Sequence, residues 1–153
     1  MTRWPLFVAG VTFAILLPIL WIAHAFSGTE PPMSQFGISL TTDRAVYDSG
    51  GQPLAATLTL KVSNHTDEAV EFNFTSAQRY DFTIADEQGD ELWRWSAERM
   101  FAQVMGTEVL EPGEERVYAE VCELSLGPGG YAVTGELTAT DRPMYASLTI
   151  EVK

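Results

Sequence analysis

A nucleophile activated by a neighbouring base needs an imidazole. Beyond residue 26 the chain has only His65, in the run Asn64-His65-Thr66-Asp67. One histidine among small polar residues reads as part of a turn, not as a general base. The single cysteine, Cys122, excludes an intrachain disulfide and lies in the strand-like run Arg116 to Leu124, where a buried thiol is expected. One Cys and one His fall short of the ligand set that zinc requires. Asp86-Glu87-Gln88-Gly89-Asp90-Glu91 places four carboxylates around a glycine. These are oxygen ligands that calcium accepts, but they lack the alternating order of a helical calcium loop, so solvated turn charges are the reading. Gly127-Pro128-Gly129-Gly130 shares only glycine content with a phosphate-cradling loop, since it contains proline and leads into a strand. Asn64-His65-Thr66 and Asn73-Phe74-Thr75 match the N-glycosylation acceptor pattern, the first on an accessible turn and the second mid-strand. The expectation is a non-enzyme with no cofactor and no metal.

Charge narrows the partners. Of 153 residues, 21 are acidic and 9 basic, a net charge of −12. Arg3 and Glu30 are the only charged residues before Met33, so the folded part carries the whole excess. Such a surface repels phosphate, and nucleic acid is not an expected partner. It keeps the protein soluble and would steer association with a basic protein surface.

The elements that position these residues are short strands. Ile38 and Leu40 alternate with Ser39 and Thr41, and Asp43 to Pro53 then reads as a polar, glycine-containing loop. Ala56, Leu58, Leu60 and Val62 alternate with Thr57, Thr59, Lys61 and Ser63, and Val70, Phe72 and Phe74 with Glu71, Asn73 and Thr75. The intervening turn, Asn64 to Glu68, suggests that these two runs form a hairpin. Tyr80, Phe82 and Ile84 share one face, Asp81 and Thr83 the other, and Trp93 and Trp95 return on one face after the turn at Gly89. Each large aromatic can bury about 200 Å², so this second hairpin is expected at the centre of the core. Met100 to Val109 fits a bent strand or a loop with one helical turn. Glu111-Pro112-Gly113-Glu114 is a turn. Arg116 to Leu124 is apolar on both faces, as an interior strand would be. Tyr131 to Ala139 and Ala146 to Val152 alternate again. Eight or nine strands and no amphipathic helix of ordinary length point to a β-sandwich of about 120 residues, one domain with a real core.

Tyr80-Asp81-Phe82, Gly89, Trp93-Arg94-Trp95-Ser96, Met100-Phe101 and Gln103, followed by Leu110-Glu111-Pro112-Gly113-Glu114, resemble the signature of the BsuPI family, the bacterial intracellular proteinase inhibitor domain. The resemblance extends in weaker form from about Leu54 to the C-terminus, through Val62-Ser63-Asn64 and Gly130-Tyr131. It implies an immunoglobulin-like antiparallel β-sandwich and inhibition of a serine proteinase, for which a subtilisin-like enzyme is the candidate partner. Fold transfers across such families more safely than function. An inhibitor of the substrate-like kind presents a stiff exposed loop with one side chain filling the enzyme's specificity pocket. Ser96-Ala97-Glu98-Arg99-Met100, after a strand anchored by two tryptophans, is the candidate, with Arg99 or Met100 as the pocket-filling residue. The competing reading is an ordinary connector in a structural or adhesion-type module, or in an accessory subunit of an envelope complex without inhibitory activity.

Residues 1–26 read as a signal peptide or membrane anchor, 27–35 as a linker and 36–153 as the domain. Trp4 to Phe26 holds no Asp, Glu, Lys or Arg, and Arg3 before it with Glu30 after it orients the domain outside the cytoplasm. Ala23-His24-Ala25 and the upstream Pro18 fit a cleavage site, whereas a length near the roughly 20 residues of a bilayer span favours an uncleaved anchor. Translation from Met33 would instead leave a cytoplasmic domain.

Overall fold

The computed structural model describes residues 35–48, 50 and 53–153. The expected membrane segment and all but the end of the linker lie outside the described residues. Among those residues there are ten strands and no helix: β1 (Phe36–Thr42), β2 (Val46–Tyr47), β3 (Leu54–Asn64), β4 (Val70–Phe74), β5 (Tyr80–Ala85), β6 (Glu91–Arg94), β7 (Gly106–Leu110), β8 (Glu115–Leu124), β9 (Gly129–Leu137) and β10 (Met144–Val152). They form a three-stranded sheet in the order β1-β3-β8, a five-stranded sheet in the order β2-β10-β9-β5-β6, and the pair β4-β7. The pairings are antiparallel except for β2 beside β10.

The two-residue period does the packing. Leu54, Ala56, Leu58, Leu60 and Val62 of β3 are buried while their neighbours through Lys61 stay partly or fully exposed. Phe82 and Ile84 of β5, Val133 of β9 and Ile150 of β10 meet Leu54, Ala56, Leu58 and Leu60 from the other sheet in one apolar cluster. Removing each such side chain from water is worth about 2 kcal/mol. Gly135 lets the layers approach, because a Cβ there would stand 2.8 Å from Leu60 Cδ1 and 3.2 Å from Leu40 Cδ1. A second cluster, with Val62, Phe72, Phe74, Leu110 and Leu137 at its centre, lies under β4-β7.

Four expectations need correction. β3 and β4 are not a hairpin: β3 pairs with β1 and β8, and β4 pairs with β7. Asn64 is the reason. Fully buried, it donates from Nδ2 to the carbonyls of Glu68 and Leu110, 2.8 and 2.9 Å away, and accepts from the Thr66 N–H and hydroxyl at Oδ1. Its own N–H donates to the Glu114 carbonyl, and its carbonyl accepts from the Gly113 N–H. Asn64 thereby ties the turn after β3 to the Glu111–Glu114 turn and sends the chain across to β7. It is also unavailable as a glycan acceptor in the folded chain.

β8, expected inside, is one of the two outer strands of the three-stranded sheet, with β1 the other. Its second apolar face, Val117 and Val121, is exposed. The β5-β6 hairpin forms as expected and Gly89 turns it with a φ of 89°. Its β5 half lies in the core as expected, with Phe82 and Ile84 wholly buried, but β6 ends the five-stranded sheet because β9 pairs with the other side of β5, and Trp93 and Trp95 lie only half-buried at the core's margin. Finally, the expected loop from Asp43 contains β2. Its Tyr47 is buried and donates to Asp43 Oδ1 at 2.9 Å, and the same oxygen accepts from the Thr57 N–H. The ambiguous stretch after Met100 resolves into a loop through Met105 and then β7.

Candidate functional site

The loop after β6 is held by a carboxylate that strand alternation assigns to the wet face. Asp81 is 4% exposed. Its Oδ1 accepts from the N–H groups of Phe82 and Ser96, and its Oδ2 from the Ser96 hydroxyl at 2.6 Å and from Arg94 Nη1 at 3.0 Å. Arg94 also forks onto Glu91. The carboxylates of Glu91 and Asp81 hold its guanidinium even more firmly protonated than usual. Four bonds on one buried carboxylate fix the loop's entry at Ser96.

An aromatic column fixes the rest of the loop. Tyr118 stacks on Tyr80 with ring centroids 4.6 Å apart, Tyr80 on Trp95 at 4.5 Å, and the Arg99 guanidinium lies 4.3 Å from the Trp95 ring centroid. Arg99 Nε donates to the Trp95 carbonyl at 3.1 Å, and its Nη2 is 3.9 Å from Glu120 Oε2. The Tyr80 hydroxyl donates to the other Glu120 oxygen, and burial together with that carboxylate pushes the phenol up to about 12. Phe101 leans on Trp95, and the Ala102 carbonyl accepts from the Ala77 N–H. The loop is therefore clamped on both sides of Met100, which is wholly exposed, and Val104 and Met105 beyond it are 64% and 82% exposed.

The five residues singled out in the sequence occupy this one loop. Ser96 is half-buried with its hydroxyl committed to Asp81, whereas Ala97, Glu98, Arg99 and Met100 are exposed. Two tight turns shape it, from the Ala97 N–H to the Arg94 carbonyl and from the Arg99 N–H to the Ser96 carbonyl. Sequence reasoning missed Asp81, Tyr118 and Glu120 as its supports. The available signal was Asp81 itself, a carboxylate between Tyr80 and Phe82 in a strand that ought to be buried.

His65 is exposed in its turn. Asp86 Oδ1 accepts from the Gln88 and Asp90 N–H groups, so the acidic turn is capped by its own backbone. Among the described residues, no three His, Cys, Asp or Glu side chains converge as metal ligands. Cys122 is buried, and burial raises its thiol above the ordinary value, which leaves it unreactive.

Several solved structures are similar in shape. A β-glucosidase from Erythrobacter marinus aligns with 77% of this chain, which spans only 15% of that enzyme, at 16% identity and a TM-score of 0.45. The C-terminal domain of Wzt aligns with 78% of this chain and 74% of its own length at 11% identity and a TM-score of 0.49. The CARDB domain of a Pyrococcus furiosus protein, solved with two metal ions, aligns with 76% of this chain and 91% of its own at 14% identity and a TM-score of 0.45. Likenesses this distant say nothing of activity. No curated protein sequence matches the chain. Residues 40–142, which carry the buried aspartate, the tryptophan pair and the Asn64 crossing, match the model of BsuPI, the intracellular proteinase inhibitor domain, and the chain belongs to that family.

Proposed function

We propose that this chain is an immunoglobulin-like β-sandwich that acts by binding another protein, and that the partner is a serine proteinase of the subtilisin-like kind. Membership of an inhibitor family supports a protein partner. The observation that carries the finer reading is Met100, completely exposed at the tip of a loop whose flanks are clamped. A loop already ordered in the free protein avoids most of the entropy cost of ordering on binding. Arg99 is engaged with Trp95 and Glu120, so Met100 is the side chain free to enter a specificity pocket. The pocket it suits is apolar. In the same reading, Trp4 to Phe26 tethers the domain outside the cytoplasm, and the proteinase it meets is an envelope or extracellular one.

Inhibition assays of the purified chain against a panel of subtilisin-like proteinases test the proposal. The expected result is stoichiometric inhibition that Met100→Asp weakens by about a hundredfold, an effect typical of losing a central anchor, with the fold unchanged. No inhibition at micromolar chain, or inhibition indifferent to Met100→Asp, overturns it and leaves the domain an adhesion-type module or an accessory subunit.

A further inference from the structure

β6 and β8 end their respective sheets on the same side and face each other across an open cleft of about 730 Å³. Glu91 to Trp95 and Ala97 to Arg99 line one wall, Val121 to Glu123 the other. β6 pairs only with β5 and β8 only with β3, and no other described backbone group bonds to the edge of β8 from Val117 to Glu123. Natural proteins blunt such edges with short strands, bulges, proline or central charges. β6 fits that rule, being four residues long beside a register shift at Ile84/Ala85. β8 does not. It runs ten residues in unbroken register with β3, without glycine or proline, and its outward middle residues are Val117, Ala119 and Val121, the two valines 55% and 60% exposed.

The cleft's unbalanced charge is negative. Arg94 is committed to Asp81 and Glu91, and Arg99 to Glu120, whereas Glu98 and Glu123 face no counter-ion among the described residues. We infer that β8 is an acceptor edge for an extended, basic segment of another protein, which adds as a further strand of the three-stranded sheet. Its β-branched residues lie beside Val117 and Val121, and its lysines or arginines at alternate positions enter the cleft towards Glu98. A second copy of this chain does not fit. Two-fold pairing of β8 with Val117 opposite Val121 also sets Glu115 opposite Glu123 at both ends, between two chains of charge −12. The contact goes beyond the proposed loop contact, because Met100 is not part of the cleft lining.

The probe is a labelled, acetylated peptide of four Lys-Val repeats titrated into the full chain in mild detergent and read by fluorescence anisotropy. Expected are saturable one-to-one binding and a loss of about tenfold in Val121→Lys, which puts a charge on the edge. Glu123→Lys, which alters an exposed group only, weakens binding and its salt dependence. N-methylation of one alternate set of peptide amides abolishes binding while the other set is tolerated, since only every second N–H faces the edge. Met100→Ala, which removes the proposed pocket-filling side chain without adding charge near the cleft, leaves peptide binding within about twofold. Absence of binding, equal binding of a Glu-Val peptide, indifference to both N-methylated sets or to Val121→Lys, or a β8-mediated dimer of this chain would each overturn the inference.

Discussion

Two buried polar side chains organise this molecule, and they do so differently. Asn64 is neutral and fully buried, and it bonds mainly to backbone groups from two turns far apart in sequence. Asp81 is charged, sits beside a half-exposed arginine, and bonds to the residues that begin one loop. Asn64 settles where the chain goes after β3, whereas Asp81 settles the shape of a surface segment. Losing the first should therefore cost global stability, while losing the second should cost local order and binding.

The largest effect is expected for Asn64→Ala. It takes the Asn64 donor from the Leu110 carbonyl and the Oδ1 acceptor from the Thr66 N–H, while the Glu68 carbonyl keeps only the Thr66 hydroxyl, and the urea midpoint should fall by the equivalent of about 3 kcal/mol. Asp81→Asn is expected to cost about 2 kcal/mol, because one charge-assisted bond to Arg94 is lost and an amide must serve the same donors. Its diagnostic is limited proteolysis: cleavage near Ala97 to Met100 should accelerate well below the global unfolding transition. Equal protease resistance in the two variants would erase the distinction between them.

A smaller effect is expected at Glu136, which stands opposite Asp81 in the β5-β9 ladder. Burial, and then the charge of Asp81, raise its carboxyl above the usual range. The folded state thus holds that proton more tightly than the unfolded one. This group's contribution to stability rises as pH falls through the raised value and is unfavourable at neutral pH. Glu136→Gln should stabilise the chain at neutral pH by less than about 1 kcal/mol after solvent screening. The gain should vanish once pH drops below the ordinary carboxylate range, and it should shrink in an Asp81→Asn background. Denaturant titrations at several pH values check all three. The smallest effect on stability is expected for Met100→Ala, within about 0.5 kcal/mol because the side chain touches nothing buried, even as it weakens proteinase inhibition.

Much of the fold is legible along single strands. Alternation identified the buried face of β3 from Ala56 to Val62, of β4 through Val70, Phe72 and Phe74, and of β10 through Ile150 and Val152. Gly89 and Gly113 marked turns that do require positive φ, at 89° and 75°. The residues from Tyr80 to Glu114 carried the family. Pairing was not legible, because alternation reports which face a residue is on and not which strand lies beside it. β3 followed by a short polar turn and β4 has every local mark of a hairpin, and the bonds of Asn64 to Leu110 and Glu114 that redirect the chain span some fifty residues of sequence. β8 misled for a related reason: apolar residues on both faces describe an interior strand and an open edge equally well.

The candidate loop divides in the same way. Ser96 to Met100 is contiguous, so sequence alone could name it, and its exposed, turn-like character comes from residue type. That the loop is clamped, that Arg99 is spent on Trp95 and Glu120 while Met100 is free, and that its neighbour is an open strand edge were decided by tertiary structure. Those facts depend on Asp81, Tyr118 and β8 arriving from other strands, and a contact between strands is a property of the packed sheets that no local pattern of side chains encodes.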